Sequence, residues 1–323
     1  MTETPPLVTA DRLVKHFPLR GGRRVHAVDG VSLTIHEKEI VGLVGESGSG
    51  KSTFGKALIG LHAKTAGTVS YRGEVLPQRY GAADFRRWAT KMQMIFQDPY
   101  SSLNPRMTVG EIIGEGLKLH TALSTAEVRD RVGDWLKQVG LEPDHMSRYP
   151  HEFSGGQRQR IGIARALIVE PEFVVCDEPI SALDVSVQAQ VVNLLDELKA
   201  SMGLTLLFIA HDLSMVRYIS DRMAVMYLGA LIEIGPSGGV FFEPRHPYTQ
   251  ILVASNPEPD PRSERQRQST TISGEIPSPI DIAPGCRFAG RCPQVMDVCR
   301  KETPMLRPLA EEPDRHVACH LYA

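Results

Sequence analysis

Residues 45–52, GESGSGKS, match the pattern G-x-x-x-x-G-K-[ST] at every position, and an apolar run at 40–44 precedes them. Glycines at this spacing let the backbone aim consecutive N–H groups at phosphate oxygens, and the start of a following helix adds partial positive charge. We expect Lys51 to contact the β- and γ-phosphates of a nucleotide and the Ser52 hydroxyl to ligate Mg²⁺. The alternative is a simple turn rich in glycine and serine. The residues predicted to bind phosphate are Gly45, Ser47, Gly48, Ser49, Gly50, Lys51, Ser52 and Thr53.

A second candidate group is a pair of acids at the end of an apolar run. Residues 173–176 are FVVC, and Asp177 and Glu178 follow them. We expect Asp177 to hold Mg²⁺, directly or through water, and Glu178 to polarise an attacking water. An apolar strand that ends in solvated acids is common, so this assignment depends on the phosphate loop in the same chain.

Two further polar residues each follow a predicted strand. Gln97 comes after residues 92–96 and His211 after residues 206–210. At the carboxyl edge of a parallel sheet either side chain could meet the γ-phosphate, and Gln97 is also a candidate Mg²⁺ ligand. Taken singly, each is typical of a surface or turn residue. Their order along the chain relative to the other motifs favours a role for both residues in the nucleotide site.

Residues 153–158, FSGGQR, resemble the signature motif of ABC-type ATPases, with Phe153 where leucine is usual. The other motifs follow the order of that family, including residues 181–184, SALD, which are similar to its D-loop. The resemblance implies an α/β fold. It consists of a RecA-like core with the phosphate loop, an antiparallel β subdomain and an inserted helical subdomain.

The glycines of the signature permit a cluster of backbone N–H groups at a helix start, which makes a second anion site. Its residues are Ser154, Gly155, Gly156 and Gln157. In the family the signature of one subunit caps the γ-phosphate held by the other, so the resemblance implies a head-to-tail dimer that closes on two ATP molecules. Phe17 matches the aromatic residue that stacks on adenine in relatives, although residues 20–24 make that alignment less direct.

Finer motifs are similar to those of the ATP-binding subunits of dipeptide, oligopeptide and nickel ABC importers. They are QDPYSSLNPR at 97–106, HPYT at 246–249, GCRF at 285–288 and RCP at 291–293. The resemblance implies two transmembrane permease subunits, an external solute-binding protein and a peripheral place on the cytoplasmic face of the inner membrane. Residues 157–160, QRQR, look like one of two paralogous ATPase subunits, which implies a heterodimer. The transported solute is left open.

The composition is that of a globular α/β protein. The 323 residues are 42% hydrophobic, and 36 Lys and Arg oppose 38 Asp and Glu, so the electrostatic footprint of a typical nucleic-acid binder is absent. The apolar stretch 223–232 is about half of the ~20 residues that a spanning helix needs. The first six residues lack the features of a secretory signal, which favours the cytosol.

The pattern of elements predicts an ATP-binding domain over residues 1–255, with a helical subdomain at about 98–167, and a C-terminal extension over 256–323. Strand-like runs alternate with helical ones as far as about residue 255. Ten of the 23 prolines lie from Pro257 onward, and the polar segment 262–268 is typical of a linker.

Four of the five cysteines lie in this extension, at Cys286, Cys292, Cys299 and Cys319. In a reducing compartment they are expected to be thiols or metal ligands. Their spacing leaves three interpretations open, namely a four-thiolate [4Fe-4S] cluster, a zinc site and unrelated buried thiols. The resemblance to importer ATPases whose extension carries a [4Fe-4S] cluster favours the first. Cys176 is expected to be a small buried hydrophobe.

The resulting hypothesis is an ATPase subunit that powers peptide import, with ATP and Mg²⁺ as ligands. One alternative is a soluble ABC ATPase of translation or DNA repair, but the chain has a single cassette and no heptad stretch. Another is a nucleotide-binding module without turnover, which the presence of Glu178 and His211 disfavours.

Overall fold

The structure is a computed structural model that describes residues 5–255, 277–280 and 282–322. These residues form two compact units. The first contains His36–Glu39 and Tyr80–Phe208, and the second contains Pro6–Ile35, Ile40–Arg79 and the described residues from Ile209 onward. The predicted linker at 262–268 lies outside the described residues.

The second unit contains the small sheet that the resemblance implies. Its strands are β1 (Pro6–Pro18), β2 (Arg24–His36), β4 (Ala66–Tyr71) and β5 (Glu74–Val75), in the spatial order β2-β1-β4-β5. Strand β4 runs antiparallel to both β1 and β5.

A second set of strands in this unit carries the phosphate loop. They are β3 (Ile40–Val44), β9 (Arg222–Tyr227), β10 (Ala230–Pro236), β11 (Arg307–Pro308) and β12 (His316–Val317), in the order β11-β12-β10-β9-β3. Strand β3 is parallel to β9, and the remaining pairs are antiparallel. All five residues of β3 are buried, as its continuous apolar run predicts for a strand covered on both faces. The helices of the unit are α1 (Lys51–Leu58), α7 (Leu213–Ile219), α8 (Ser237–Phe242) and α9 (Pro247–Ala254).

The first unit contains the strands that carry the acids. They are β6 (Met92–Ile95), β7 (Phe173–Asp177) and β8 (Thr205–Ile209), in the order β8-β7-β6. Strands β6 and β7 are parallel, with Met92 opposite Phe173 and Ile95 opposite Cys176. Their carboxyl ends therefore lie at the same edge.

The first unit also contains five α-helices among its described residues, three of them within residues 98–167. They are α2 (Ala82–Trp88), α3 (Val109–His120), α4 (Thr125–Gln138), α5 (Gly155–Leu167) and α6 (Val185–Met202). Helix α3 packs on α4 and α5, and both α3 and α4 begin with capping boxes, Thr108 with Glu111 and Ser124 with Glu127. Short 3-10 helices occupy Arg20–Gly22, Pro143–Ser147, Pro150–Glu152, Asp297–Arg300 and His320–Tyr322.

The C-terminal extension contributes more order than its composition predicts. Strand β12 pairs with β10, and Phe288 and Val317 are buried. Arg315 donates to the Glu233 carboxylate at 2.7 Å, and both side chains are almost fully buried. The sequence did not predict these strands, because two-residue strands carry no periodicity and the ion pair joins residues 82 positions apart.

Within the described ranges, no helix combines the length and apolar character needed to cross a bilayer.

Candidate functional site

The phosphate loop lies between β3 and α1 in the second unit, and its glycines have backbone conformations that other residues adopt at a cost. The φ angles are 150° at Gly45, 78° at Gly48 and 103° at Gly50. A Cβ atom on Gly50 would lie 2.0 Å from the carbonyl oxygen of Ala27, and one on Gly45 would lie 2.2 Å from that of Met226. The glycines therefore serve a close backbone approach as well as a tight turn.

The Lys51 ammonium is buried inside this loop. Its Nζ donates to the Gly45 carbonyl at 2.7 Å and to the Glu46 carbonyl at 3.0 Å, and it lies 3.4 Å from Ser49 Oγ. These carbonyls hold the cation at the centre of the loop, where a phosphate oxygen is a stronger partner. Ser52 and Thr53 follow on the first turn of α1, so the hydroxyls and the helix N-terminus belong to the same short segment.

The candidate catalytic acid is in the first unit, where it contacts the predicted glutamine. Gln97 Nε2 donates to Glu178 Oε2 at 2.8 Å. Asp177, the last residue of β7, is 2% exposed. Glu178 has a φ of 44°, a left-handed conformation that costs a non-glycine residue of order 1–3 kcal/mol and is typical of functional sites. The structure thus brings together two side chains that the sequence placed at the same sheet edge.

The signature motif forms the start of α5. Ser154 is the N-cap: its Oγ accepts the Gln157 N–H at 3.3 Å, and the Gln157 side chain accepts the Ser154 N–H at 3.0 Å. The Ser154 hydroxyl hydrogen is not used by this cap, so it can donate to an anion. A Cβ atom on Gly156 would lie 2.4 Å from Val187 Cγ1. The second glycine of the signature is therefore required by the close packing of this position against Val187.

The exchange of leucine for Phe153 is accommodated in the core. Phe153 is 5% exposed, and its ring meets that of His145 edge-on at 5.3 Å. The exchange therefore leaves the serine and the glycines of the signature in place.

Two arginines of α5 fasten the segment that follows Gln97. The Arg158 guanidinium lies 4.0 Å from the centre of the exposed Tyr100 ring, and Arg165 donates to the Ser102 carbonyl at 2.5 Å. The sequence analysis did not predict these two contacts, because each joins residues more than 50 positions apart. The glutamine segment and the signature helix are thus connected within the first unit.

The remaining predicted nucleotide contacts, His211 and Phe17, belong to the second unit. His211 is exposed after β8, next to Asp212, which caps α7 through the Met215 N–H at 3.1 Å. Phe17 lies half-buried in β1, where its ring meets His62 edge-on at 5.5 Å and the Lys15 ammonium lies 4.7 Å from its centre.

The loop residue Glu46 has partners that the sequence analysis did not assign. Its backbone N–H donates to Tyr248 Oη at 2.8 Å, and its carboxylate accepts from Arg291 at 2.9 and 3.0 Å. Tyr248 belongs to the HPYT motif and Arg291 to the RCP motif. The two motifs were visible in the sequence, but their convergence on one residue 202 and 245 positions away depends on the fold.

Among the described residues, one group of three possible metal ligands lies close together, in the second unit. Its ligand atoms, on His16, His26 and Asp29, are within 4.8 Å of one another. Asp29 lies 2.9 Å from His16 Nε2 and 3.4 Å from His26 Nδ1, and Arg287 of the extension donates to it at 2.5 Å. Burial opposes the charged form of Asp29, but hydrogen bonds from Arg287 and His16 hold its pKa below the ordinary value. The guanidinium already supplies the positive charge, so the group is explained as a hydrogen-bonded anchor.

The four thiols of the extension lie near enough to one another to interact electrostatically. The Cys286 N–H donates to the Cys299 carbonyl at 2.7 Å. Burial, together with the charges of the three other thiols, raises the pKa of Cys319 to about 11, although a hydrogen bond from the Leu321 N–H acts in the opposite direction. Burial also raises the pKa values of Cys286 and Cys292, whereas backbone N–H groups that donate to the sulfurs, from Phe288 and Gln294, act in the opposite direction.

The donor set suits a thiolate-bound group, since N–H donors to sulfur stabilise thiolates. Among the described residues, no three of these sulfur atoms lie within 4.8 Å of one another. A single zinc with bonds of about 2.3 Å would hold its sulfurs closer than that. The fifth cysteine, Cys176, is fully buried in β7, and burial raises its pKa to about 12, which agrees with a packing role.

Two regions of the chain match known protein families. Residues 28–181 match the ABC transporter family, and residues 232–299 match the oligopeptide/dipeptide transporter C-terminal region. The second match extends from β10 to Cys299 and includes the HPYT and RCP motifs.

Two named proteins illustrate the similarity, which extends over nearly the whole chain. The putative oligopeptide transport ATP-binding protein YkfD of Bacillus subtilis is 56% identical over 98% of this chain and 96% of its own. The oligopeptide transport ATP-binding protein OppF of Salmonella typhimurium is 51% identical over 94% of this chain and 92% of its own.

Among solved structures, the ATP-binding cassette MJ0796, in a dimeric post-hydrolysis state with ADP and Pi, has a TM-score of 0.66 and 29% identity. It covers 72% of this chain and 99% of its own. CbiO1 of Clostridium perfringens, part of the ABC transporter complex cbiONQ, has a TM-score of 0.65 and 26% identity, and covers 78% of this chain and 95% of its own.

Proposed function

The chain belongs to the ABC transporter family, in the group with the oligopeptide/dipeptide C-terminal region, and from this premise we propose that it is the ATP-hydrolysing subunit of a membrane importer of peptides. The family and the fold confirm the resemblance and the fold class predicted from the motifs. The observation that carries the proposal is Glu178, held by Gln97 at 2.8 Å, in a chain with a complete phosphate loop. A module that only bound nucleotide would not need this acid.

Binding of ATP begins with the phosphate loop. The backbone N–H groups of residues 45–52 surround the phosphates, and the Lys51 ammonium exchanges its carbonyl partners for β- and γ-phosphate oxygens. Ser47, Ser49 and Thr53 add hydroxyl donors. Phe17 offers an aromatic surface to adenine.

Ser52, Asp177 and Gln97 are the residues proposed to hold Mg²⁺, because this ion prefers hydroxyl, carboxylate and amide oxygens. The ion would supply positive charge to offset that of the phosphates. The chain's own residues do the remaining chemistry. Glu178 accepts a hydrogen bond from the attacking water and polarises it, and His211 donates to the γ-phosphate.

The signature residues act on the nucleotide of a second subunit. Ser154 donates its hydroxyl hydrogen, and the N–H groups of Gly155, Gly156 and Gln157 at the start of α5 add partial positive charge. Such a half-site requires a head-to-tail dimer. We take the partner to be a paralogous ATPase subunit, on the basis of the QRQR segment at 157–160.

The dimer serves two transmembrane permease subunits at the cytoplasmic face of the inner membrane, with an external solute-binding protein that delivers the peptide. The segment after Gln97 and the helices α3 to α5 are the surface proposed to receive the permeases. Arg158 and Arg165 connect that segment to the signature helix, so a movement of one is transmitted to the other.

The extension is proposed to hold a [4Fe-4S] cluster through Cys286, Cys292, Cys299 and Cys319, with zinc as the alternative. Four clustered thiols with N–H donors at sulfur fit a cluster by their chemistry. A bound cluster would supply a covalent link between parts of the extension that are far apart in sequence. Nickel or another small solute is the alternative cargo.

Reconstitution in lipid vesicles tests the proposal. The chain is expressed with its neighbouring transport proteins, and two multi-spanning proteins should co-purify with it. Peptide uptake should require ATP and should be lost in E178Q. If the chain instead stays soluble on its own and hydrolyses ATP without permeases, the soluble ABC ATPase is favoured. If the vesicles take up nickel but no peptide, nickel replaces peptide as the proposed solute.

A further inference from the structure

Glu46 places a carboxylate inside the loop that is proposed to bind the phosphates of ATP. Its side chain is 18% exposed and it is the second residue of the GESGSGKS segment. An uncompensated carboxylate here would repel a triphosphate, most strongly where water is excluded. The loop therefore needs a fixed cation beside Glu46.

Arg291 of the extension is that cation. Its two terminal nitrogens donate to the two oxygens of Glu46 at 2.9 and 3.0 Å, and its side chain is only 5% exposed. This paired geometry fixes the direction of the carboxylate as well as neutralising it. Arg291 also donates to Tyr227 Oη at 3.3 Å and lies 6.0 Å from the centre of the Phe288 ring.

The backbone of the same loop residue is held by Tyr248. The Glu46 N–H donates to Tyr248 Oη at 2.8 Å, and Tyr248 is fully buried. Its ring contacts those of Tyr227 and Phe288, at 4.7 and 5.4 Å between centres. The support is therefore an aromatic cluster rather than a flexible loop.

The base of this support is the buried carboxylate of Glu233 in β10. It accepts the N–H groups of Arg245 and His246 at 2.9 Å each, and Arg315 of the extension donates to it at 2.7 Å. Helix α9, which carries Tyr248, starts at Pro247, and His246 is its N-cap. Both contacts to Glu46 thus come from one connected region C-terminal to β10.

We propose that the C-terminal region positions the phosphate loop for ATP, with Arg291 as the positioning residue that acts through Glu46. The inference rests on the proposed ATP-binding function and adds to it a role for the HPYT and RCP segments. Arg291 does not touch the nucleotide in this proposal. It keeps the loop neutral and its second residue in place.

A double-mutant cycle tests this role with the full chain. The affinity for Mg-AMP-PNP is measured by calorimetry for the wild type, E46Q, R291Q and E46Q/R291Q. We expect R291Q to bind about tenfold more weakly, since it leaves the carboxylate uncompensated. We expect E46Q/R291Q to recover to within about threefold of the wild type, because the repelling charge is gone. A structural defect would not be rescued by the second substitution.

The matched control is R300Q. Arg300 is an exposed arginine next to Cys299, as Arg291 is next to Cys292, and its replacement should leave the affinity unchanged. The independent variant Y248F removes only the acceptor of the Glu46 N–H and should weaken binding by about threefold. Should R291Q not fold, R291M replaces it in the same cycle with the same expected outcomes, because methionine also removes the charge while it keeps a long side chain for the aromatic cluster.

The proposal is overturned if R291Q binds like the wild type, or if E46Q/R291Q binds no better than R291Q. Failure of the wild type itself to bind Mg-AMP-PNP would instead refute the proposed ATPase function. The two failures are therefore distinguishable in one experiment.

Discussion

Gln97 Nε2 donates a hydrogen bond to Glu178 Oε2 across 2.8 Å, from the end of one parallel strand to the end of its neighbour. The bond orients the carboxylate of Glu178, a residue whose backbone has a left-handed conformation with a φ of 44°. Because the glutamine amide is neutral, it orients the acid without supplying a cation. This orientation is consistent with the proposed role of Glu178, which is to polarise the attacking water.

E178Q should retain ATP and Mg²⁺ binding and lose turnover. The substitution preserves the shape of the side chain but removes the group that polarises water, so the rate should fall by at least about 100-fold. The closed ATP-bound dimer should accumulate, as size-exclusion chromatography with ATP would show. E170Q is the control, since Glu170 also has a positive φ but is an exposed partner of Arg131. Turnover of E178Q near the wild-type rate in the assembled transporter would reject the assignment.

K51A should act earlier, on nucleotide binding itself. The ammonium is buried among loop carbonyls, and its removal eliminates a charged contact to the β- and γ-phosphates. We expect the affinity for Mg-AMP-PNP to fall by about tenfold or more. K56A, on the same helix, should bind normally. An unchanged affinity of K51A would contradict the function assigned to the loop.

Two parts of the candidate site, the phosphate loop and the pair Gln97 and Glu178, were predictable because short segments of sequence encode each of them. The phosphate loop needs glycines at fixed positions, and Gly50 shows why, with the Ala27 carbonyl oxygen 2.0 Å from where a Cβ would lie. The proximity of Gln97 and Glu178 followed from parallel strands that end at one edge. The helices α3, α4 and α5 lie within the region 98–167 that the amphipathic pattern of the sequence predicts to be helical.

The support of the site was not predictable in the same way. Glu46 meets Tyr248 and Arg291 across 202 and 245 positions, and nothing in the local pattern of either segment indicates which residue it contacts. Strand β12 has only two residues, and it is defined by its hydrogen-bonded pairing with the neighbouring strands, β10 among them. Such features depend on tertiary packing, which a single sequence does not encode as a period or a spacing.

S154R should block hydrolysis at the partner's nucleotide and spare binding to this chain's own loop. A long cation cannot occupy a pocket shaped for a serine hydroxyl and N–H groups. S154A loses the cap of α5 and the hydroxyl donor but adds no bulk, so it should cost about 1 kcal/mol of stability and lower the rate of hydrolysis less than S154R does. S147R, at an exposed serine of the first unit, is the control. Loss of nucleotide binding in isolated S154R would contradict the composite-site proposal.

C292S tests the thiol group of the extension. Anaerobically purified wild type should be brown, with absorption near about 400 nm and roughly four iron and four sulfide per chain. The variant should lose the colour and expose residues around 285–300 to protease, while the Arg315–Glu233 pair keeps β12 in place. C176A, in the core of β7, should stay brown. Colourless wild type with one zinc would establish the alternative, and metal-free protein with four reactive thiols would reject both.

The stability of the chain should depend on pH through His246. This residue is 1% exposed, its Nδ1 accepts the Tyr248 N–H at 3.0 Å, and burial lowers its pKa to about 4. In the unfolded chain the pKa is about 6.5. Between these values the unfolded state binds a proton that the folded state does not, so stability is complete above about pH 6.5 and is lost as the pH falls through 4.

The expected loss from this one group is about 3 kcal/mol on going from pH 7 to pH 4. H246N removes the titration while keeping a residue that can cap α9. Its free energy of unfolding in urea should be lower at pH 7, because the smaller side chain leaves a gap, and should fall less steeply towards pH 4. Carboxylates that titrate in the same range contribute equally to both proteins and cancel in the comparison. H151N, at an exposed histidine, should keep the wild-type slope. Parallel curves for wild type and H246N would show that His246 is not buried in its neutral form.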